Sequence, residues 1–221
     1  MLKKVAWLGA VVTASMLAVS VAQASVSAGE AAKLKTTLTP LGGEKAGNAN
    51  GTIPAWTGGL TKSPFPNYKP GEHLPDPYAS DEPTAVITAQ NMNQYAAHLA
   101  EGQKALFRTY PSTFKMYIYP TRRSAAVPTW VADNTFKCAT TAHVKDWGFD
   151  GCVGGTPFPI LSGNNEDQAL QALWNHIVRY RGGYLVRKAS EVAVQRNGSY
   201  SMVTSQQEVD FRYYRRDIKT L

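Results

Sequence analysis

The segment over residues 40–82 carries the feature that most restricts how this chain folds. Its glycines and prolines are spaced too closely for a regular helix or strand: Pro40, Gly42, Gly43, Gly47, Gly51, Pro54, Gly58, Gly59, Pro64, Pro66, Pro70, Gly71, Pro75 and Pro77. Each interrupts a backbone hydrogen-bond ladder. Disorder is one reading of such a composition. The segment also contains apolar side chains that need a surface to pack on, so we predict an ordered, irregular segment over residues 25–83: Ile53, Trp56, Leu60, Phe65, Tyr68 and Tyr78.

Residues 1–24 have the pattern of a secretory signal peptide. Two lysines precede an apolar run over residues 5–21, and an Ala-Gln-Ala tripeptide ends at Ala24. We expect cleavage after Ala24 and a periplasmic protein. The alternative, a membrane anchor, needs about 20 predominantly apolar residues. The formal net charge is +7, but an exported protein rarely meets nucleic acid, so we expect no nucleic-acid partner.

Cys138 and Cys152 predict a disulfide, because an even number of cysteines in an oxidising compartment pairs. The chain-entropy model gives such a loop about 3 kcal/mol of stabilisation. A metal site is the alternative, with His143 and Asp146 nearby in sequence. A third possibility is that both thiols are free.

Helical spacing of apolar residues predicts helices over 29–40, 88–101, 103–110, 129–144 and 166–181. Thr88 is the expected N-cap of the second, and Asn165 of the last. The last helix has one apolar stripe, made of Leu170, Leu173, Trp174, Ile177 and Val178. His176 lies beside this stripe, and we expect it to be partly buried.

Alternating side chains predict a strand over 114–119 and antiparallel sheet after Gly183. Asn197-Gly198 is a strong hairpin signal, with positive φ expected at both positions. The return strand or strands cover 200–214. Such a small sheet has an open edge, so we expect further strands beyond Leu221. The fold class is therefore α+β: one domain over 84–221, with helices followed by the start of a sheet.

Several long motifs resemble the domain-of-unknown-function 1329 family of exported bacterial proteins. They are LTPLGGEKAGNANGTIPAWTGG at 38–59, YKPGEHLPDPYASDEP at 68–83, ITAQNMNQYAAHLAEGQKALFRTYPSTFKMYIYPTRR at 87–123, and then GTPFPI and ALWNHIVRYRG. The resemblance implies a fold similar to the LolA/LolB lipoprotein carriers: a curved antiparallel sheet that forms an incomplete barrel covered by helices. It also implies a resistance-nodulation-division transporter or an outer-membrane protein as partner. It supplies no catalytic residues and no cofactor.

The motifs of common catalytic sites are absent from the sequence. His73, His98, His143 and His176 form neither HxH nor HExxH, and the sequence has no GxSxG and no phosphate loop. We therefore expect a binding protein for lipids or other hydrophobic molecules, not an enzyme. An apolar site needs no directional motif, because burial of apolar surface is itself favourable.

The ligand-binding residues that we predict come from the last helix and from the sheet. They are Trp174, Tyr184, Val186, Val192, Val194, Val209, Phe211 and Tyr213. The alternative is that these side chains form ordinary core.

Other functions remain open. The protein is an envelope adaptor if residues 40–82 and the sheet edge bind a partner, and an enzyme if a polar residue such as His176 or Asp146 acts on a hydrophobic substrate. The arginines at 179, 181, 212, 215 and 216 form either a solvated surface or a contact with acidic lipid.

Overall fold

The computed structural model describes residues 26–69, 72–73 and 75–217. The predicted signal peptide, with its expected cleavage after Ala24, lies outside these residues. The α-helices are α1 (Ala28–Ala32), α2 (Glu101–Thr109), α3 (Thr129–Thr141) and α4 (Asn165–Ile177). The strands are β1 (Ala85–Ile87), β2 (Met116–Ile118), β3 (His143–Lys145), β4 (Gly148–Asp150), β5 (Tyr184–Val194) and β6 (Tyr200–Asp210). Short 3-10 helices cover Lys33–Lys35, Met92–His98 and Arg212–Tyr214.

The strands form three antiparallel pairs, β1–β2, β3–β4 and β5–β6. The predicted α+β class with antiparallel sheet is therefore confirmed. Over the described ranges these pairs do not join into a barrel. No helix in this part of the chain is both long enough and apolar enough to cross a bilayer.

Helix α3 lies between two hydrophobic clusters. Its Ala139 packs with the buried Ala31 of α1 and the buried Leu34 of the 3-10 helix that follows. Val131 and Cys138 of the same helix belong to a larger cluster. We call this larger cluster the disulfide-side core; its buried members are Val131, Cys138, Ala142, Cys152, Phe158, Val178, Tyr213 and Tyr214. A third cluster surrounds Ile87, Leu99 and Phe107.

Helix α3 is shorter than the predicted 129–144. The backbone becomes extended at Ala142 (φ −68°, ψ 139°), so that Val144 lies in β3. The β-branched Val144 suits a strand better than a helix. The N-terminal prediction at 29–40 is also too long, because α1 gives way to a 3-10 turn.

Helix α4 begins one residue earlier than predicted and ends four residues earlier. Asn164 is the N-cap, and its Oδ1 accepts the Asp167 N–H at 2.9 Å; the choice of Asn165 was wrong. Its apolar stripe is only partly covered, since Leu173 is 52% and Ile177 is 41% exposed.

The helix predicted over 88–101 is a 3-10 helix over Met92–His98. Thr88 is not its cap; instead its N–H donates to Asn91 Oδ1 at 2.7 Å. The next predicted helix is present as α2.

The alternation over 114–119 is confirmed, because Phe114, Met116 and Ile118 are half-buried while the residues between them are exposed.

Strands β5 and β6 form a long hairpin whose side chains are largely exposed on both faces. The Asn197-Gly198 hairpin is confirmed, but its turn differs from the expected one. Gly198 has the expected positive φ, at 84°, but Asn197 does not. Among the described residues, the non-glycine residue with a positive φ is Asp146. The Gly198 N–H donates to Gln195 O, as expected for a type I turn followed by a left-handed glycine.

The strand predicted through Tyr214 ends at Asp210. A 3-10 turn follows, and it directs Tyr213 and Tyr214 into the disulfide-side core, where they are 4% and 2% exposed. The alternation of Phe211 and Tyr213 with polar residues thus reflects a turn and not a strand.

The irregular segment after Pro40 packs on the stretch 122–127, which has no regular secondary structure. Trp56 Nε1 donates to Ala125 O at 2.9 Å, and the Leu60 N–H donates to Ser124 O at 2.9 Å. The Arg123 guanidinium donates to the carbonyls of Ala46 at 3.1 Å and Pro54 at 3.3 Å. Backbone carbonyls accept all four of these bonds, and the side chains of Trp56 and Arg123 donate three of them.

Candidate functional site

A concave site of about 910 Å³ lies between α4, β4 and the end of β6. We call it the aromatic groove. Its volume is in the range of small-molecule sites, about 300–1,000 Å³. Its lining residues are Gly148, Phe149, Asp150, Gly151, Cys152, Val153, Trp174, Ile177, Val178, Asp210, Phe211, Arg212 and Tyr213.

The predicted disulfide forms one wall of the groove. Cys138 and Cys152 are bonded, with their Cα atoms 5.0 Å apart, so their sulfur atoms are not available as metal ligands. The β3–β4 hairpin lies inside the disulfide loop and turns at Asp146 (φ 52°). The bond therefore fixes the base of a hairpin that sequence reasoning did not predict.

Phe149 on β4 is the centre of the aromatic packing. Its ring centroid lies 5.2 Å from Trp174, 5.9 Å from Phe158 and 6.0 Å from Tyr213, each with an edge-to-face angle. Such pairs contribute about 0.5–1.5 kcal/mol beyond the area they bury. Trp174 Nε1 donates to Trp147 O at 2.9 Å, which holds α4 against the hairpin.

Tyr213 and Tyr214 differ in how their hydroxyls are satisfied. The Tyr213 OH donates to Gly155 O at 2.8 Å and lies 3.0 Å from Cys152 Sγ. Over the described residues the Tyr214 OH is buried without a hydrogen-bond partner. Burial raises the pKa of both phenols well above their usual range, so both remain neutral and act as packing groups.

Two carboxylates at the groove are matched by cations. The pKa of Asp150 is lowered by a hydrogen bond from the Gly151 N–H and then by Lys145, whose Nζ lies 3.3 Å away. Asp210 accepts from Arg215 Nη1 at 3.1 Å. Arg215 is also bound to Asp217, and these hydrogen bonds raise its pKa. The lowered pKa of Asp150 does not suit an acid catalyst.

The structure brings three predicted binding residues together in the groove: Trp174, Phe211 and Tyr213. Tyr184, Val186, Val192 and Val194 instead share one face of the β5–β6 hairpin, as their common parity predicts. Val209 lies on the opposite face, because its cross-strand partner is Leu185. The eight residues therefore do not form one surface.

Sequence reasoning missed Phe149 and a second concave site. The short Gly-Phe-Asp strand within the cysteine loop was the available signal for Phe149. The second site, of about 740 Å³, lies between the irregular segment and the stretch 122–132, and includes Trp56, Ala125 and Val127. The aromatic residues of the irregular segment were its signal.

The histidines do not form a site. His73, His98 and His176 are exposed, and His143 is half-buried; the partly buried position expected for His176 was wrong. Over the described residues no group of three or more His, Cys, Asp or Glu side chains is placed to hold a metal ion. Asp146 is exposed at the β3–β4 turn.

Comparison with known proteins gives a family but no activity. The chain is 46% identical over 204 residues to a protein of Pseudomonas aeruginosa, "Uncharacterized protein PA3922", and the match covers 91% of this chain and 43% of that relative. The chain thus spans less than half the length of this relative. No solved structure matches it. The family "Protein of unknown function (DUF1329)" matches residues 86–221. The chain belongs to this DUF1329 family.

Proposed function

We propose that this chain belongs to a periplasmic binding or carrier protein for lipids or other hydrophobic molecules, which acts by binding and not by catalysis. The observation that carries the proposal is the aromatic groove, which presents Phe149, Trp174 and Ile177 on its surface. Apolar burial contributes about 25 cal/mol per Å², so about 200 Å² of contact contributes about 5 kcal/mol. Residues 1–24 support the location through their export pattern.

The proposal extends to the fold of the whole protein. β5 and β6 pair with each other, and no other described strand pairs with their outer edges. We propose that they belong to a curved sheet similar to that of the LolA/LolB carriers, in which further strands pair at these edges. An envelope transporter or outer-membrane protein is the partner that we propose for delivery of the ligand.

Binding of a neutral fluorescent probe such as Nile Red tests the proposal. Ile177→Lys places a charge at the groove and should weaken probe binding about tenfold or more. Leu106→Lys is the matched control, because Leu106 is 40% exposed on α2 and Ile177 is 41% exposed on α4. Absence of probe binding to the unchanged protein contradicts the proposal, and so does equal binding by the two variants.

An adaptor function is the second candidate, and the open hairpin edges favour it. Each strand offers 11 residues for pairing with a partner strand. A photo-crosslinker at Val194 should then capture one envelope protein in cells, and Ile177→Lys should leave that crosslink unchanged. Loss of the crosslink in Ile177→Lys would favour the carrier function.

A further inference from the structure

The aromatic groove combines an apolar interior with two arginines, Arg181 and Arg212, that form no salt bridge within the part of the chain that the structure describes. Its two carboxylates, Asp150 and Asp210, each have a lysine or arginine within 4.0 Å. Arg212 lines the same groove and is exposed. Among the described residues, no carboxylate lies within 4.0 Å of the Arg212 guanidinium. Asp217, whose pKa the charge of Arg212 helps to lower, already binds Arg215.

Arg181 supplies a second cation at the rim. Its guanidinium lies over the ring of Phe211, 5.7 Å from the centroid, and Nη2 donates to Ile177 O at 3.3 Å. Phe211 and Ile177 both line the groove. Arg181 also has no carboxylate within 4.0 Å in the part of the chain that the structure describes. Arg181 and Arg212 therefore place two positive charges beside Phe211, which lines the groove.

We propose that the ligand of the aromatic groove is a long-chain carboxylate, such as a free fatty acid. This inference rests on the proposed function, since it names the class of hydrophobic ligand. The hydrocarbon chain lies against Phe149, Trp174 and Ile177. Its carboxylate faces Arg212, whose planar fork of donors matches the two carboxylate oxygens. The positive charge of Arg181 supports this orientation.

Competition between two ligands of equal chain length tests the inference. Laurate and 1-dodecanol have the same number of carbons but differ in charge at neutral pH. Each is titrated, below its micelle concentration, against the full chain with bound Nile Red. Laurate should displace the probe at about one tenth of the concentration that dodecanol needs, and this advantage should shrink as salt is raised from about 10 to 150 mM.

Arg212→Gln should remove most of the laurate advantage and leave dodecanol binding unchanged, while Arg212→Lys should retain part of it. Arg216→Gln is the matched control, because Arg216 is exposed like Arg212 but lies over the ring of Trp130, at 5.9 Å, and does not line the groove. Circular dichroism checks that each variant is folded.

The outcomes separate this inference from the function on which it rests. If Nile Red does not bind, the proposed function fails, and the inference fails with it. If dodecanol competes as well as laurate, or if Arg212→Gln binds laurate normally, the inference fails and the proposed function stands. Binding to phosphatidylglycerol vesicles without competition by laurate also overturns it, because the anion recognised is then a phospholipid headgroup.

Discussion

The disulfide-side core and the β5–β6 hairpin contain similar apolar residues in opposite environments. Tyr213 and Val178 in the core are 4% and 5% exposed, whereas Tyr200 and Val194 on the hairpin are 65% and 72% exposed. The core gathers groups from α3, β4 and α4 around one covalent bond. In the described structure the hairpin depends on its own ladder of backbone pairs.

This difference shows that apolar composition alone does not locate a core. Alternation fixes which side chains share a strand face, but only the rest of the chain decides whether that face is covered. We therefore expect the disulfide-side core to contribute more to the free energy of unfolding than the exposed side chains of the hairpin.

Removal of the disulfide should have the largest effect. The double variant Cys138→Ala/Cys152→Ala loses a constraint on the unfolded chain across a sequence separation of 14, which is a cost of about 3 kcal/mol. Urea unfolding at neutral pH measures it. A loss of less than about 1 kcal/mol would show that the aromatic packing alone holds the β3–β4 hairpin.

Alkaline pH should have the second-largest effect on the free energy of unfolding. Burial raises the pKa of Tyr213 and Tyr214 in the folded state above the value of about 10 in the unfolded chain. Both tyrosines therefore keep a proton in the fold that the unfolded chain releases above about pH 10. Their contribution is complete below that pH, and each then loses up to about 1.4 kcal/mol per pH unit.

Unfolding titrations at pH 8, 10 and 11 measure this loss. The Tyr213→Phe/Tyr214→Phe variant is the control, and its stability should fall less steeply with pH. An equal slope in both proteins would mean that other groups cause the alkaline loss.

The two tyrosines should respond in opposite directions to loss of their hydroxyls. Tyr213→Phe leaves the Gly155 carbonyl without its donor and should cost about 1–2 kcal/mol. Tyr214→Phe removes a buried hydroxyl that has no partner among the described residues, and should be neutral or stabilise by up to about 1 kcal/mol. Urea unfolding of the two variants compares them directly. Equal destabilisation would indicate that both hydroxyls are satisfied in solution.

Changes on the hairpin should have the smallest effect. Val192→Thr and Val203→Thr keep the β-branched shape at positions that are 51% and 68% exposed, so each should change the free energy of unfolding by less than about 0.5 kcal/mol. Val131→Thr, at a position that is 0% exposed, is the control and should cost more, because it buries a hydroxyl. A large loss at Val192 or Val203 would mean that the hairpin is covered in solution.

Local signals in the sequence predicted much of the fold. The disulfide, helices α2, α3 and α4, and the Asn197-Gly198 hairpin all depend on residues close in sequence, and each is present. Errors arose where distant packing decides the backbone. The Phe211–Tyr213 pattern alternates like a strand, but the buried contact of the Tyr213 hydroxyl with Gly155, 58 residues away, directs it into a turn.

The candidate site was predicted only in part for the same reason. Trp174 was predicted from the apolar stripe of the last helix, and Phe211 and Tyr213 were predicted from their alternation with polar residues. Phe149 was missed because its strand has three residues, too few for periodicity. The face on which Val209 lies could not be predicted, because cross-strand register depends on the length of the turn, and here the pairing Val194↔Tyr200 sets it.

The hydrogen bonds of Arg123 determine which substitutions the irregular segment tolerates. This guanidinium donates to the main-chain carbonyls of Glu44, Ala46 and Pro54, a group that every amino acid carries. The residues at those three positions can therefore be substituted during evolution without loss of the hydrogen bonds. Arg123 itself has no such freedom, because a lysine ammonium lacks the spread of donors that reaches several acceptors at once.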